Sequence, residues 1–508
     1  LGRDWDLIII GGGITGAGIL NLAARCGLKA LLVEQNDFAS GTSSRSSKLV
    51  HGGLRYLRQF HIKLTHECIL ERLYLLKHAP GLVEPLDFIY PLYRTDGTQS
   101  WMVHLGLSLY THLSAEAGSY HALEPSDIAA RIPGLAEEGL VKGYRFQDAS
   151  TDDARLVLRV LSDGLNASGG KATALNYTRV TGFLKAGERV AGVGILDRET
   201  GRTAEAFGSV VINATGAWAD LLRAELGAPP RLRPLRGSHL LFPRSRLPVP
   251  TAVMLGHPYD GRPLFILPWE GITLVGTTDV DHPLALDEEP FISDEERTYL
   301  MDALDARFPN LNLTEKDVLA TQAGVRPVVR GGKTDPSSES REHVLWEEQG
   351  LLTVTGGKLT TFRLIAIEAL RKAHALSPKI PRPMDDMPVL DPPSPDPTLP
   401  GLKLQAAVRL WGRHGASAPW MVQRHPDLMD SIPGTPYLWA ELAWAAQNEA
   451  VVHLDDLLLR RLRLGLLLGE GAQRLLPRIK EVCAGSLGWD DDRWRKEIQR
   501  FLKLMTRQ

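Results

Sequence analysis

The alternation of apolar and polar positions changes period several times along this chain, and the first change is the most informative. Residues 7–10, LIII, form a short β-branched run, the pattern of a strand buried on both faces. Gly11, Gly13 and Gly16 then give G-x-G-x-x-G, while Ile14, Ile19, Leu20 and Ala23 fall at helical spacing. A second apolar run, residues 30–33, ends in Glu34. This pattern predicts a βαβ unit. Its first glycine suits a tight turn, its second lets backbone approach a pyrophosphate, and its third lets the helix pack on the strand. The helix N-terminus offers N–H groups to phosphate, and Glu34 is placed to accept from ribose hydroxyls. Residues 6–34 therefore read as a dinucleotide-binding unit.

Later segments supply the rest of a two-sheet architecture. Residues 63–78 return to helical periodicity through Leu64, Ile69, Leu73 and Leu76. Residues 100–113 are apolar and aromatic with little charge, the composition of a core helix in preference to a membrane face. Asp152 and Asp153 precede an amphipathic helical run, as capping residues do. Residues 172–211 alternate as strands about a turn at 185–188, and residues 210–220 begin as a buried strand that runs into Ala-Thr-Gly. The short strands SHLLFP, PLFILP and ITLVGTTD within 235–280 predict an antiparallel sheet. Residues 352–362 give a strand entering a Gly-Gly turn, with a helix at 364–374. Pro378 is followed by eight further prolines up to Pro400, which predicts an extended linker. Beyond it the pattern is helical, a separate domain. There, residues 457–480 mix Arg460, Arg461, Arg463, Arg474, Arg478 and Lys480 with leucines. That pattern fits a helix lying on anionic lipid, and equally one packed on one side and solvated on the other.

Composition narrows the class. A chain of 508 residues has room for two or three domains. A net charge of −2 gives no global field for nucleic acid. Cys26, Cys68 and Cys483 are scattered, with neither a disulfide framework nor metal-ligand spacing, and suit a reducing compartment; no metal is expected. Neither a secretory leader nor an apolar run of spanning length is expected from the sequence. The loop after Glu34, residues 41–57, has few core-forming residues but carries Arg45, Lys48, His51 and Arg55 beside the dinucleotide unit, which marks it as functional.

The motifs GGGITGAG, TSSRSSKLVHGGLRYL, DDARLV, NATGAWAD, GTTD, GVRP and GGKLTTFR occur in this order. Through them the chain resembles the FAD-dependent glycerol-3-phosphate dehydrogenases of the bacterial aerobic, quinone-linked type, over roughly residues 4–371. The resemblance implies an α/β fold of the D-amino-acid-oxidase/glutathione-reductase class. It would comprise a Rossmann-like FAD-binding domain, an antiparallel-sheet substrate domain and a C-terminal helical domain. The implied segments are 1–90, 151–225 and 346–377 for FAD, 91–150 and 226–345 for the substrate cap, 378–400 for the linker and 401–508 for the helical domain.

The same resemblance implies oxidation of sn-glycerol 3-phosphate to dihydroxyacetone phosphate, with hydride passing from C2 to flavin N5 and electrons then to ubiquinone or a related quinone. It implies a cytoplasmic protein, peripheral on the inner face of the cytoplasmic membrane, with a homodimer as a candidate assembly. A phosphate dianion held in a partly dry pocket needs converging cations. Arg55, Arg326, Arg341 and Lys358 are the candidates, Arg offering a planar fork and Lys a point charge. His51 is the first candidate base, with His239 and Asp279 as runners-up. Arg326 is placed to stabilise a developing alkoxide. Thr278, Asp279 and Tyr56 are candidates for the glycerol hydroxyls. For FAD, the resemblance implies Gly11, Gly13, Gly16 and Glu34 at pyrophosphate and ribose, Thr42, Ser43, Ser44, Ser47, Lys48 and Leu49 along the cofactor, and Val180 at adenine. Gly216 would lie behind the ribose, and Gly357, Lys358, Leu359 and Thr360 at the isoalloxazine. A glycerol-3-phosphate oxidase using oxygen, an amine or amino-acid oxidase of the same fold, and a non-catalytic binding module are the alternatives. The convergent cations favour phosphate over a carboxylate substrate, and the absence of extra length in the substrate region favours the dehydrogenase over the oxidase.

Overall fold

The computed structural model describes residues 4–53, 62–96, 100–113, 120–332, 339 and 342–506. The βαβ unit is formed by strand Trp5–Ile10, helix Ile14–Arg25 and strand Ala30–Val33. Its central strand pairs in parallel with Ala30–Val33 on one side and Thr203–Asn213 on the other. The sheet runs His343–Glu348, Leu351–Gly356, Thr203–Asn213, Trp5–Ile10, Ala30–Val33, Thr173–Leu175. The apolar run is continuous because both faces are covered. Leu7 and Ile9 face the helices Ile14–Arg25, Asp153–Ala167 and Phe362–Leu376. Ile8 and Ile10 face an antiparallel meander built from Thr178–Ala186, Arg189–Asp197 and the first half of Thr203–Asn213. The helices approach closely: a Cβ on Gly164 would lie 2.6 Å from the Cα of Asn21. Asn21 is fully buried and donates to the carbonyls of Val160 at 2.7 Å and Val389 at 3.1 Å.

Among the described residues the second sheet has ten strands. Val83–Tyr93 and Leu140–Thr151 form a long antiparallel ribbon, and Leu232–Pro243 pairs with both Ala320–Val329 and Ile272–Gly276. The chain thus enters the second sheet already at Leu49–Val50, which pairs with Leu140–Thr151, inside the segment 1–90. Alternate residues again face two cores. Leu240 and Phe242 pack with Leu300 and Leu304 of helix Asp294–Arg307, while Leu241 and Leu274 pack with Leu457, Leu464 and Trp494 of the C-terminal helices. The C-terminal helices therefore share a core with the antiparallel sheet, where periodicity alone had suggested a separate domain. The proline-rich segment is extended but not free. Ile380, Val389 and Leu390 are fully buried against the first sheet's helices, and Asp391 pairs with Arg25 at 2.7 Å.

The basic run 457–480 is corrected most sharply. Arg460, Arg461 and Arg463 are buried and face carboxylates, so they are withdrawn from any lipid surface. A π-helical turn, Leu457–Arg461, sets two successive guanidinia on Asp37, with Arg460 Nε and Arg461 Nη1 each 2.5 Å from its Oδ2. Burial alone would raise the Asp37 carboxyl, but the charges of Arg461 and Arg460 outweigh it and hold it low. Arg413 and His414 similarly face Glu441: burial opposes its charge, yet the His414 hydrogen bond and the Arg413 charge bring it down to about 2.

Asp37→Asn leaves two buried guanidinia short of charge, and chemical unfolding should show a loss of about 3–5 kcal/mol, as for breaking a buried pair from one side. Glu441, lowered from an ordinary 4.5, contributes stability that is complete above pH 4.5 and lost as pH falls toward 2. The acid unfolding of Glu441→Gln should lack that component between these values.

Candidate functional site

Two adjoining cavities, of about 760 Å³ and about 310 Å³, open between the sheets. They share Thr42, Ser46, Pro327, Gly357, Lys358 and Leu359, so the two spaces adjoin along these residues. The smaller is built by the βαβ unit. Gly11, Gly13 and Ile14 bring the N-terminus of helix Ile14–Arg25 to its wall, and Glu34, Val180 and Gly216 line it too. Gly16 does not line it. A Cβ there would lie 1.9 Å from the Gly11 carbonyl oxygen, so Gly16 allows the turn to close. Ser43 Oγ accepts from Ile14 N at 3.0 Å, tying the next loop to the helix start. Glu34 accepts from Gly12 N at 2.7 Å and Asn36 N at 2.8 Å, and burial raises its carboxyl. This donor set fits an adenine dinucleotide: an open helix N-terminus for pyrophosphate, and beside it a carboxylate at the end of the second strand.

The loop at residues 41–51 sorts the predicted cofactor residues by direction. Ser43, Ser47 and Leu49 line one cavity or the other, and Thr42 and Ser46 line both. Ser44 and Lys48 face away. Lys48 is fully buried in a left-handed turn, φ 60°, with Nζ 2.6 Å from the Ser44 carbonyl and 2.9 Å from Asp153 Oδ1. Burial pushes its ammonium down to about 8, with Asp153 opposing. Its role is to anchor the loop.

The larger cavity gathers His51, Asp279, Arg326, Gly357, Lys358, Leu359 and Thr360. Arg326 is fixed as a fork, donating to Asp279 Oδ1 at 2.9 Å, the Thr278 carbonyl at 3.2 Å and Thr277 Oγ1 at 2.9 Å. Lys358 Nζ lies 3.4 Å from Cys68 Sγ. His51 is half-buried, and its amide donates to Thr360 Oγ1 at 3.2 Å. Burial pushes the His51 imidazole down to about 4; Asp148 opposes this, and Lys358 and Arg72 reinforce it. Beneath it, Asp148 Oδ1 accepts from Gly52 N at 3.1 Å, Arg72 at 2.7 Å and Tyr110 Oη at 2.7 Å, which fixes the His-Gly-Gly backbone.

Two predicted residues point elsewhere. Thr278 is buried, accepting from Ser238 N at 2.9 Å and donating to Glu296 Oε1 at 2.5 Å; its neighbour Thr277 lines the cavity instead. His239 is fully buried behind Ser47, with Nε2 2.9 Å from Ser47 Oγ. Burial drives it well below the usual imidazole range, and it does not line the cavity. Arg55, Tyr56 and Arg341 lie outside the described residues.

Two arginines absent from the predicted set do line the cavity, Arg45 and Arg262. Arg45 pairs with Glu289 at 2.6 Å. Arg262 ends a tight turn closed by His257 N donating to the Arg262 carbonyl at 2.8 Å. The turn is pinned by the stack of His257 on Tyr299, centroids 3.6 Å apart, and by Tyr299 Oη at 3.1 Å from Asp260. The guanidinium reaches the Asp279 carbonyl at 3.4 Å. The only sequence signal was the Asp-Gly-Arg turn between two apolar runs.

The model of the FAD dependent oxidoreductases matches residues 6–363, and that of the C-terminal domain of alpha-glycerophosphate oxidase matches residues 366–494. Glycerol-3-phosphate dehydrogenase 2 of Mycobacterium tuberculosis is 34% identical over 98% of this chain and 88% of its own length. The aerobic glycerol-3-phosphate dehydrogenase of Staphylococcus aureus is 38% identical over 72% of this chain and 66% of its own. Among solved structures, the glycerol-3-phosphate dehydrogenase of Bacillus halodurans complexed with FAD matches with a TM-score of 0.77 and 26% identity, over 99% of this chain and 95% of that one. L-alpha-glycerophosphate oxidase of Mycoplasma pneumoniae with FAD bound shares the fold, with a TM-score of 0.59 and 19% identity over 73% of this chain and 95% of that one.

Glu34→Gln removes the charge available to the ribose. Titration of the flavin-free protein with FAD should show affinity weakened about tenfold, the effect of one charge-assisted hydrogen bond. Unchanged affinity would remove Glu34 from the cofactor site.

Proposed function

The chain belongs to the FAD-dependent glycerol-3-phosphate dehydrogenase family, and on that premise we propose that it oxidises sn-glycerol 3-phosphate to dihydroxyacetone phosphate and delivers the electrons to a membrane quinone. The observation that carries this reading is that the cation-lined cavity and the dinucleotide cavity adjoin and share Gly357, Lys358 and Leu359 in their walls. Bound FAD supplies at its flavin N5 the two-electron acceptor for the hydride leaving C2.

The side chains divide the remaining work. The substrate phosphate carries nearly two negative charges, and burying it unpaired would cost more than binding supplies. Arg262, Arg326 and Lys358 converge on the cavity to meet it. Arg326 is already oriented by Asp279 and Thr277, so it binds without further ordering. At neutral pH His51 is neutral, the form able to take the hydroxyl proton. A bound dianion favours the imidazolium, so the base strengthens when substrate arrives. Asp279 and Thr277 are placed for the glycerol hydroxyls, and Lys358 for negative charge developing at the cofactor edge.

A quinone acceptor is supported by the dehydrogenase relatives, which match most of this chain, whereas the oxidase shares only the fold. Among the described residues no helix is long and apolar enough to cross a membrane, which is compatible with the peripheral contact that such an acceptor requires.

Turnover of the flavin-loaded protein with sn-glycerol 3-phosphate should be about tenfold or more faster with a short-chain quinone than with dissolved oxygen. The reverse ratio, with peroxide released, would make it an oxidase. Arg262→Ala should raise KM about tenfold with kcat held, the signature of lost uniform binding. His51→Gln should instead lower kcat by about 10²–10⁴ with flavin content unchanged.

A further inference from the structure

The backbone at His51 is clamped on both sides of the residue. Its own amide donates to Thr360 Oγ1 at 3.2 Å, and the next amide, Gly52 N, donates to Asp148 Oδ1 at 3.1 Å. Asp148 stands on strand Leu140–Thr151 and is only 4% exposed, yet it lines the larger cavity together with His51. Helix Ile62–His78 sends Arg72 to it at 2.7 Å, and helix Ser100–Leu113 sends Tyr110 Oη to it at 2.7 Å. The second of these helices, read from its composition as a core helix, buries one side only: Leu107 and Tyr110 point inward, while Leu105 is 62% exposed. The buried side brings the phenol to Asp148, and a Cβ on Gly52 would collide with that hydroxyl. Burial and the Asp148 charge push Tyr110 well above the usual phenol range, so it stays a donor. All three donors meet the same oxygen, and among the described residues none meets Oδ2.

Backbone support needs none of this charge. A neutral amide or hydroxyl would hold Gly52 N equally well, without burying a carboxylate that then requires Arg72 and Tyr110. The charge has a use at His51. When the substrate O–H bond breaks, its electron pair forms the carbonyl, the C2–H pair leaves as hydride for the bound cofactor, and the proton goes to the imidazole. The imidazolium so formed has two cations acting on it, Lys358 from the turn after Leu351–Gly356 and Arg72 from helix Ile62–His78. The anion that acts on it from the described residues is Asp148.

We infer that Asp148 is a positioning residue for His51, whose fixed carboxylate both orients the His-Gly backbone and supplies the negative charge against which the imidazole takes the hydroxyl proton. This rests on the reading of His51 as the proton acceptor for sn-glycerol 3-phosphate. Arg72 is then the counterweight: it holds the carboxylate in place and tempers the charge that reaches His51.

Rates of anaerobic flavin reduction at saturating sn-glycerol 3-phosphate, measured across pH on the flavin-loaded protein, test this. The native rate should fall on the acid side with an inflection between about 4, where burial holds the imidazole, and its ordinary 6.5. His51→Gln should lose that inflection. Asp148→Asn keeps an oxygen for Gly52 N, Arg72 and Tyr110 but loses the charge. Its rate at neutral pH should fall about 10–100-fold, its inflection should move down by about one to two pH units, and its KM should stay within about twofold of native. Arg72 does not line the cavity, and Arg72→Gln should move the inflection up by a similar amount with flavin still bound. The second ionisation of the substrate phosphate is common to all variants, so the differences between them carry the result. A carboxylate that only supported the backbone would cost rate in both variants and leave the inflection at its native pH, which would overturn the assignment. Should Asp148→Asn lose its flavin, Arg72→Gln decides alone, and an inflection that stays or falls overturns it. An inflection that survives His51→Gln would overturn the base reading and this assignment together, and no reduction of the native protein would overturn the substrate reading with them.

Discussion

Two adjacent carboxylates, Asp152 and Asp153, join three parts of the chain that are distant in sequence. Asp153 takes Lys48 at 2.9 Å and Ser46 Oγ at 2.7 Å from the cofactor loop, and also Arg463 from the C-terminal helices. Asp152 caps the helix Asp153–Ala167 and takes Arg463 Nε at 2.9 Å and Arg413 at 3.1 Å. All three cationic partners and both carboxylates are buried. Such charges are tolerated only when each is paired and hydrogen-bonded, so none of the three parts can shift alone without stranding a charge. The loop so held is a wall of both cavities. Residues that touch neither ligand therefore set the distance between the dinucleotide end and the cationic end.

The chemistry inherits this rigidity. Arg326 reaches the cavity as a fork already bound to Asp279, and Lys358 follows a glycine turn shared by the two spaces. The cations are pre-positioned, so substrate phosphate meets charge that needs little reordering. Burial, reinforced by Lys358 and Arg72, also suppresses protonation of His51 before substrate arrives. The phosphate removes part of that suppression. Binding and proton acceptance are thus coupled through charge, and a substrate without the phosphate would meet a weaker base as well as a weaker grip.

The βαβ unit was legible in the sequence because its glycines are required by backbone contact, as the Gly16 approach to Gly11 shows, and because its strands are apolar on both faces. Side-chain direction was much less legible. Lys48 and Ser47 are neighbours in one motif, yet one anchors the loop and the other lines the cavity, a choice made by a single left-handed residue. Thr277 and Thr278 exchange roles for the similar reason that Glu296, on a helix 18 positions later, claims the second hydroxyl. The arginines at 460 and 461 looked like surface charge because their partner, Asp37, lies 423 positions from Arg460. Arg262 escaped notice because a turn between strands shows its cavity only once the strands are paired.

The central claim is that the two adjoining cavities hold the reducible cofactor and the phosphate-bearing alcohol against one another. Anaerobic mixing of the flavin-loaded protein with sn-glycerol 3-phosphate, followed by the oxidised-flavin absorbance at about 450 nm, tests it most directly. The account predicts rapid bleaching with sn-glycerol 3-phosphate and little with glycerol, which lacks the phosphate. Bound flavin that stays oxidised under sn-glycerol 3-phosphate, or that bleaches equally with glycerol, would contradict it.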